Sequence, residues 1–411
     1  MINLETFQAT YTNLLPMFLF ALILSALLSP VMGFLAMKFG LIDLPASLRN
    51  PADKSMHKVL HDRIVPKSGG LAVITAFVIT LICFVPLSPS LIGILLGVLV
   101  LFVIGVLDDK YDLSGKIQLL GHFIAALLVV VSGNHIIAVG ASGLFSEINM
   151  AVSQINLFSI GDVNYFISLP SDLFTIAWIM IVINAIAWID ALDGLQTGVC
   201  IIITATVGII SLASGNVLVA VLSVILLASL LGFLPFNFLP GKAFNGTVGS
   251  HIYGYLIAVI AIIGSAKSVS SVLVLLVPLI DMVWVLIGRI NTHLQINPIK
   301  LLSISDKTHL QHRLLDLGFS KLQVIIAEYL LVGFFAIITI SRTGSDRITD
   351  FSTFIFIIVS LFLVITVLIR RRKKHLEEVK KKKTEESSPS PSSSGPTDIT
   401  NKQSPEKKYA Y

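Results

Sequence analysis

The chain has 411 residues, of which 55% are hydrophobic and 13% charged, and its mean hydropathy is +0.89. A soluble chain this apolar would need capped connecting loops and polar helix faces that the sequence does not carry, so the composition excludes that class. The net charge of +5 is spread so unevenly that it reports membrane topology and not nucleic-acid binding.

In chain order, apolar runs occupy Leu14–Met37, Gly70–Val85, Leu91–Leu107, Ile117–Val131, Phe174–Ile189, Val199–Ala213, Val217–Phe233, Ile252–Gly264, Val269–Ile287, Val324–Ile340 and Phe351–Ile369. An α-helix needs roughly 17–25 such residues to cross a ~30 Å hydrocarbon core. The expected fold is an all-α polytopic membrane protein of about eleven transmembrane helices. The first run follows Glu5 without a basic stretch before it, so it reads as a retained helix and not a cleaved signal.

An odd number of spans puts the loops at 38–69, 108–116, 190–198, 234–250 and 288–323, with the tail from 370, on one side. That side holds 26 Lys and Arg, and the other holds only Lys267, Arg342 and Arg347. Positive charge accumulates in the cytoplasm, which predicts an outside N-terminus and a cytoplasmic C-terminus in the plasma (inner) membrane. The stretch Ser132–Asp172 lacks Lys and Arg. Within it Ile155–Ile160, Gly161-Asp162 and Val163–Leu169 read as two strands around a tight turn, a small external β-hairpin. Residues 1–369 thus form a transmembrane domain. Residues 370–411 form a disordered cytoplasmic tail, basic at its start against anionic lipid headgroups and then rich in Ser and Pro. Cys83 and Cys200 are isolated thiols with neither disulfide nor metal-ligand spacing.

The polar chemistry falls in the cytoplasmic loops alone. The first carries Lys54, His57, His61, Arg63, Lys67 and Gly69-Gly70; the second carries Asp108, Asp109, Asp112 and Lys116. The third carries Asp190 and Asp193, just after Asn184. The fourth runs from Pro235 to Ser250 and includes Asn237, Phe244 and Thr247; the fifth carries Asp306, His309, His312 and Arg313. Each piece has a bland counterpart: a solvated helix end for Asp108-Asp109, topology markers for Arg63 and Lys67, and interface packing for Phe244. His309 and His312 could be metal ligands, an anion clamp or surface residues, and Asp281 reads as a contact between helices. The joint pattern is more specific. Acids for a divalent cation, Lys, His and Arg for phosphates, and glycines for close backbone approach describe a phosphoryl-transfer site facing the cytosol.

These residues resemble the polyprenyl-phosphate N-acetylhexosamine-1-phosphate transferases, a family that includes the phospho-N-acetylmuramoyl-pentapeptide transferases. Val65-Pro-Lys-Ser-Gly-Gly is similar to the family's Pro-Arg/Lys-x-Gly-Gly, and Leu107-Asp-Asp-Lys-Tyr-Asp to its Asp-Asp motif. Asn184-Ala-Ile-Ala-Trp-Ile-Asp-Ala-Leu-Asp-Gly-Leu is similar to Asn-Ala-x-Asn-x-x-Asp-Gly-Leu-Asp-Gly-Leu. Phe244-Asn-Gly-Thr-Val-Gly-Ser is similar to Phe-Met-Gly-Asp-x-Gly-Ser, and His309-Leu-Gln-His-Arg-Leu-Leu to the His-Leu-His-His-Arg-Leu-Leu of the N-acetylglucosamine branch. The chain departs from the pattern at Ala187, where the family has a second Asn, and at Ala191, where it has Gly. Thr247 replaces an Asp that ligates magnesium, and Gln311 a His. A hydroxyl carries no charge, so a cation there would be held more weakly than by a carboxylate.

The resemblance implies an enzyme that moves an N-acetylhexosamine 1-phosphate, most simply that of N-acetylglucosamine, from a UDP-sugar to polyprenyl (undecaprenyl) phosphate. It releases UMP and starts a cell-wall or surface polysaccharide. It implies Mg²⁺ as cofactor, with Asp109, Asp190, Asp193 and Thr247 toward the metal, and Asp108, Asp109, Lys116 and Asp193 as catalytic. Lys67, Asn184, Asp190, Asn237, Phe244, His309, His312 and Arg313 would bind substrate, Asn237 and Phe244 at the uracil. Partners are then the UDP-N-acetylhexosamine, the polyprenyl phosphate and membrane lipids, and no nucleic acid. A homodimer is compatible with the sequence, which fixes no oligomeric state. The departures at Ala187, Thr247 and Gln311 keep a second reading open, a non-catalytic descendant that binds the lipid or the UDP-sugar as a scaffold.

Overall fold

The computed structural model describes residues 4–48, 61, 63–134, 138–139, 148–149, 151–160, 163–264, 273–293 and 309–341. The expected span Phe351–Ile369, the tail from 370, Lys54, His57 and Asp306 lie outside the described residues. The helices are α1 (Leu4–Phe39), α2 (Gly69–Phe84), α3 (Pro89–Tyr111), α4 (Gly115–Val131), α5 (Ser171–Ala187) and α6 (Leu195–Ala213). They continue with α7 (Val217–Asn237), α8 (Gly246–Gly264), α9 (Leu276–His293), α10 (Leu310–Asp316) and α11 (Lys321–Ser341). Short strands β1 (Ile42–Asp43) and β2 (Val65–Pro66) pair antiparallel, Ile42 opposite Pro66. A second short pair joins β3 (Ala138–Val139) to β4 (Ile148–Asn149). Strands β5 (Ala151–Ile160) and β6 (Val163–Pro170) run antiparallel with Ile155 opposite Ile167.

Among the described residues, α1 from Leu14, α3, α6, α7, α8 and α11 are long and apolar enough to cross a bilayer, while α2, α4 and α5 are apolar but shorter. Large apolar side chains cover the outside: Leu15, Phe34, Leu99, Leu330 and Ile337 are each more than half exposed. Such a surface is unstable in water and suits lipid, so the protein is membrane-embedded. Pro16 and Pro30 stand inside α1, which membrane helices accommodate because neighbouring groups satisfy the freed carbonyls.

Helix α8 is the centre of the bundle, packed by α2, α3 and α5, with Tyr253 and Tyr255 fully buried on it. Glycines set how closely these helices meet. A Cβ on Gly70 of α2 would lie 2.1 Å from the backbone nitrogen of Gly249, and one on Gly105 of α3 would lie 2.8 Å from Val248 Cα. Both contacts fall on the first turn of α8, so α2 and α3 touch that turn backbone to backbone.

Of the helix limits that differ from the hydropathy reading, two bear on the site. Helix α3 runs on to Tyr111, which puts Asp108 and Asp109 in its last turn and not in a loop. Helix α8 begins at Gly246, six residues before the expected Ile252. Thr247, Ser250 and His251 lower the local hydropathy, but the backbone stays helical because its first N–H groups find an acceptor in Asp109.

Candidate active site

The last turn of α3 meets the first turn of α8. Asp109 Oδ1 accepts the Thr247 N–H at 2.9 Å and Oδ2 faces the Val248 N–H at 3.4 Å. A carboxylate there satisfies unpaired helix donors and sits at the positive end of the helix dipole. Gly246 allows the approach: its φ is +67°, and a Cβ would lie 2.6 Å from Asp109 Oδ2. Lys67 Nζ stands 3.5 Å from Asp109 Oδ1. Asp108 is held separately. Its Oδ1 accepts the Leu113 N–H at 2.9 Å and Gln118 Nε2 at 2.8 Å, while Oδ2 accepts the Thr247 hydroxyl at 2.5 Å. Thr247, expected as a weak metal ligand, is thus the hydrogen-bond partner of an acid. Its hydroxyl hydrogen is committed to Asp108.

The other two acids are tied to the segment that leads into α8. Asn245 Nδ2 donates to Asp190 Oδ1 and to Gln196 Oε1, each at 2.9 Å. The Thr197 hydroxyl bridges Asn245 Oδ1 at 3.0 Å and Asn237 Oδ1 at 2.6 Å. Asp193 Oδ2 accepts the Gly241 N–H at 2.9 Å, and Arg63 donates to the Gly241 carbonyl at 2.5 Å. Burial and the nearby Asp109, Asp193 and Asp43 push the Asp190 carboxyl up to about 7, against the opposing pull of the Asn245 hydrogen bond. The site thus concentrates more negative charge than Lys67 offsets.

Several expected residues sit differently from one another. Asn237 is buried, and its amide is used on both sides: Oδ1 accepts Thr197 and the Gly194 N–H, and Nδ2 donates to the Ala243 carbonyl at 2.9 Å. It braces the loop from a buried position. Phe244 is half-buried with its ring 5.1 Å from the His61 imidazole, which in turn lies 2.9 Å from Asp43 Oδ2. Lys116 is exposed on the first turn of α4 and makes no side-chain hydrogen bond among the described residues. Asn184 donates to the Met180 carbonyl at 2.7 Å and lies 3.5 Å from His122 Nδ1. His122 Nε2 is 3.2 Å from His251 Nδ1 in a buried pair. Asn184 therefore belongs with two histidines that the sequence reading missed. A signal existed, since Gln118 and His122, like Thr247 and His251, stand one helical turn apart on one face.

The basic groups come from α9 and α10. His309 precedes α10, buried, with Nδ1 2.9 Å from Asp281 Oδ2. Gln311 Nε2 donates to the Trp188 carbonyl at 3.0 Å, so α10 is fastened to the segment that carries Asp190 and Asp193. Arg289 lies over the Trp188 ring at 4.4 Å and Arg313 over Trp284 at 4.8 Å. His312 is buried beside them on α10.

No three Asp, Glu, His or Cys side chains stand together as a metal cage among the described residues. Magnesium at a nucleotide site does not need one. It keeps waters and takes one or two carboxylates together with substrate phosphates. Hard, negatively charged oxygens on Asp109, Asp190 and Asp193 fit that ion by their chemistry.

Comparison with known proteins gives the same picture. The family described as glycosyl transferase family 4 matches residues 91–265. The probable undecaprenyl-phosphate N-acetylglucosaminyl 1-phosphate transferase of Bacillus subtilis (strain 168) is 31% identical over 349 residues, 83% of this chain and 88% of that one. The decaprenyl-phosphate N-acetylglucosaminephosphotransferase of Mycobacterium leprae is 28% identical over 332 residues, covering 72% and 78%. The phospho-N-acetylmuramoyl-pentapeptide-transferase of Staphylococcus aureus (strain MSSA476) is 30% identical over 257 residues, covering 59% and 74%. At the identity and coverage of the Bacillus subtilis relative, the chain belongs to the polyprenyl-phosphate N-acetylhexosamine-1-phosphate transferases of glycosyl transferase family 4.

Proposed function

We propose that this protein transfers N-acetylglucosamine 1-phosphate from UDP-N-acetylglucosamine to a polyprenyl phosphate and releases UMP. One observation carries the reading: Asp108, Asp109, Asp190 and Asp193, from two separate segments, all bond to the stretch between Asn237 and Thr247, with Lys67 beside them. The names of the relatives supply the sugar and the lipid class.

The acceptor phosphate is already an oxyanion, so the protein need not supply a strong nucleophile. An oxygen of that phosphate bonds to the phosphorus that carries the sugar, and the bond from that phosphorus to the UMP oxygen breaks, with the electron pair leaving on UMP. The protein's work is to bring two polyanions together in line and to offset their charge. Asp108 takes any residual proton of the acceptor. Its Oδ1 is filled by two donors, so that proton arrives at Oδ2, where the Thr247 hydroxyl sits. One or two of Asp109, Asp190 and Asp193 would hold Mg²⁺ together with substrate phosphates, and the ion when bound adds positive charge at the diphosphate. Lys67 adds charge beside Asp109, and Lys116 meets anionic groups from its exposed position on α4. His309, His312 and Arg313 hold the diphosphate or sugar, and Phe244 offers its open side to the uracil.

In this reading the bundle has eleven spans in the plasma membrane, the β5–β6 hairpin lies outside, and the site and the basic tail face the cytosol. The lipid-linked product starts a cell-wall or surface polysaccharide. The test is UMP release from a panel of UDP-sugars with polyprenyl phosphate, with and without Mg²⁺. Release that needs UDP-N-acetylglucosamine, lipid and metal together supports the reading. Binding of the UDP-sugar without turnover at any Mg²⁺ level would replace it with the scaffold.

A further inference from the structure

Asp281 stands in α9 with Leu276–Ile280 before it and Met282–Ile287 after it, all apolar, and it makes no bond to the four acids. A carboxylate in such a helix is costly and needs partners. Both of its oxygens have one at the start of α10. Oδ2 lies 2.9 Å from His309 Nδ1, and Oδ1 accepts the Leu310 N–H at 2.8 Å. A carboxylate only accepts, so the hydrogen of His309 sits on Nδ1. Nε2 is then the remaining ring nitrogen, and it has no hydrogen-bond partner among the described residues. The ring plane is fixed as well, because the Trp188 indole meets it edge-on at 5.4 Å and itself lies under Arg289 at 4.4 Å. Gln311 fastens the same α10 turn to the Trp188 carbonyl.

We infer that Asp281 is the positioning residue for His309: it holds the Nδ1–H and the ring orientation, so that the ring, when both nitrogens carry hydrogen, donates its Nε2–H to the nucleotide-sugar diphosphate. The substrate in this statement rests on the transferase reading above, while the dyad rests on geometry alone. A wrongly turned ring would leave the diphosphate without one donor, and misplacement on this scale costs about ten- to a hundredfold in rate.

The test uses the full chain in lipid nanodiscs with Asp281→Asn, Asp281→Glu, His309→Gln and the Asp281→Asn/His309→Gln double variant. Readouts are UMP release, UDP-N-acetylglucosamine affinity, thermal stability and the ¹⁵N spectrum of labelled histidine. Each of Asp281→Asn and His309→Gln should lower kcat/KM about ten- to a hundredfold, and the double variant should be no worse than either. Asp281→Glu should recover part of the loss. One histidine signal, absent from His309→Gln, should show a hydrogen held on Nδ1 in the wild type and lose that preference in Asp281→Asn. Losses that multiply in the double variant would overturn the inference. So would a lowered melting temperature with kcat/KM unchanged, or a wild-type His309 protonated on Nε2 alone. Should Asp281→Asn fail to fold, the wild-type spectrum and His309→Gln decide. Should the wild type release no UMP, the transferase reading fails separately, and the spectrum with the UDP-N-acetylglucosamine affinity still decides the role of Asp281.

Discussion

The acidic half of the site and its basic half are held by different means. Asp109 is placed by backbone: it caps α8, and α8 is where it is because Gly70, Gly105 and Gly249 let α2, α3 and α8 touch. The groups around His309 are placed by side chains instead. Asp281, Trp188, Arg289 and Gln311 reach across gaps between elements to hold one short helix, α10. A backbone junction cannot relax when one atom is added, whereas a side-chain latch can lose one member and keep the rest. Asp109 is thus on the stiffer frame, and the groups around His309, which the proposed function gives to the nucleotide-sugar, are on the more adjustable one.

That contrast is broken most forcefully at Asp108. Asp108→Asn should lower kcat for UMP release by about 10²-fold or more, the scale of losing one preorganised electrostatic group. Membrane yield should be close to normal, because the amide oxygen can still accept from Leu113 and Gln118. Full activity would remove Asp108 from the reaction.

Gly70→Ala tests the stiffness itself. The added carbon would meet the Gly249 nitrogen at 2.1 Å, and overpacking of this kind costs about 1–3 kcal/mol. Thermal unfolding in detergent should show the loss, together with a fall in activity as α8 shifts from Asp109. In contrast, Arg289→Lys on the latch side should change stability by less. Equal effects from both would erase the distinction.

A smaller effect concerns protons. Burial and neighbouring carboxylates raise the Asp190 carboxyl from 3.8 to about 7. Its acid form is therefore the one that folding favours. That contribution to stability is complete below the unfolded value near 3.8 and is lost as pH rises through about 7. Metal binding runs the other way, since a carboxylate must be ionised to ligate. The Mg²⁺ concentration for half-maximal rate should climb about tenfold for each pH unit below that range, the slope of one linked proton. A half-maximal concentration that stays flat between pH about 5 and 7 would take Asp190 away from the metal.

Much of this site was legible in the sequence because its acids stand where hydropathy breaks. Asp108, Asp109, Asp190 and Asp193 are legible that way, Lys67 as a cytoplasmic-loop cation suited to phosphate, and the structure brings them to one junction. What escaped was long-range pairing. Asp281 read as a contact between helices, with nothing in its own segment to announce His309, 28 positions further on. His122 lies inside an apolar run and His251 just before one, and they meet only when α4 packs near α8. Asn245 gave no signal either, although it links Asp190 to Gln196. Thr247 reads as a weakened ligand because the resemblance shows which residue it replaces and not what it touches. Its contact is the hydroxyl bond to Asp108. The first turn of α8 was read as a loop for a related reason: its helicity depends on a cap that arrives from α3.

The most direct measurement of the central claim follows the sugar-bearing phosphorus. UDP-N-acetylglucosamine labelled at that phosphate is incubated with polyprenyl phosphate, Mg²⁺ and the full chain in nanodiscs, and lipid and nucleotide are then separated. The account predicts that the label moves to the lipid together with the sugar and that the nucleotide product is unlabelled UMP. Label left in UDP while the sugar alone reaches the lipid, or label left entirely in UDP-N-acetylglucosamine, would contradict it.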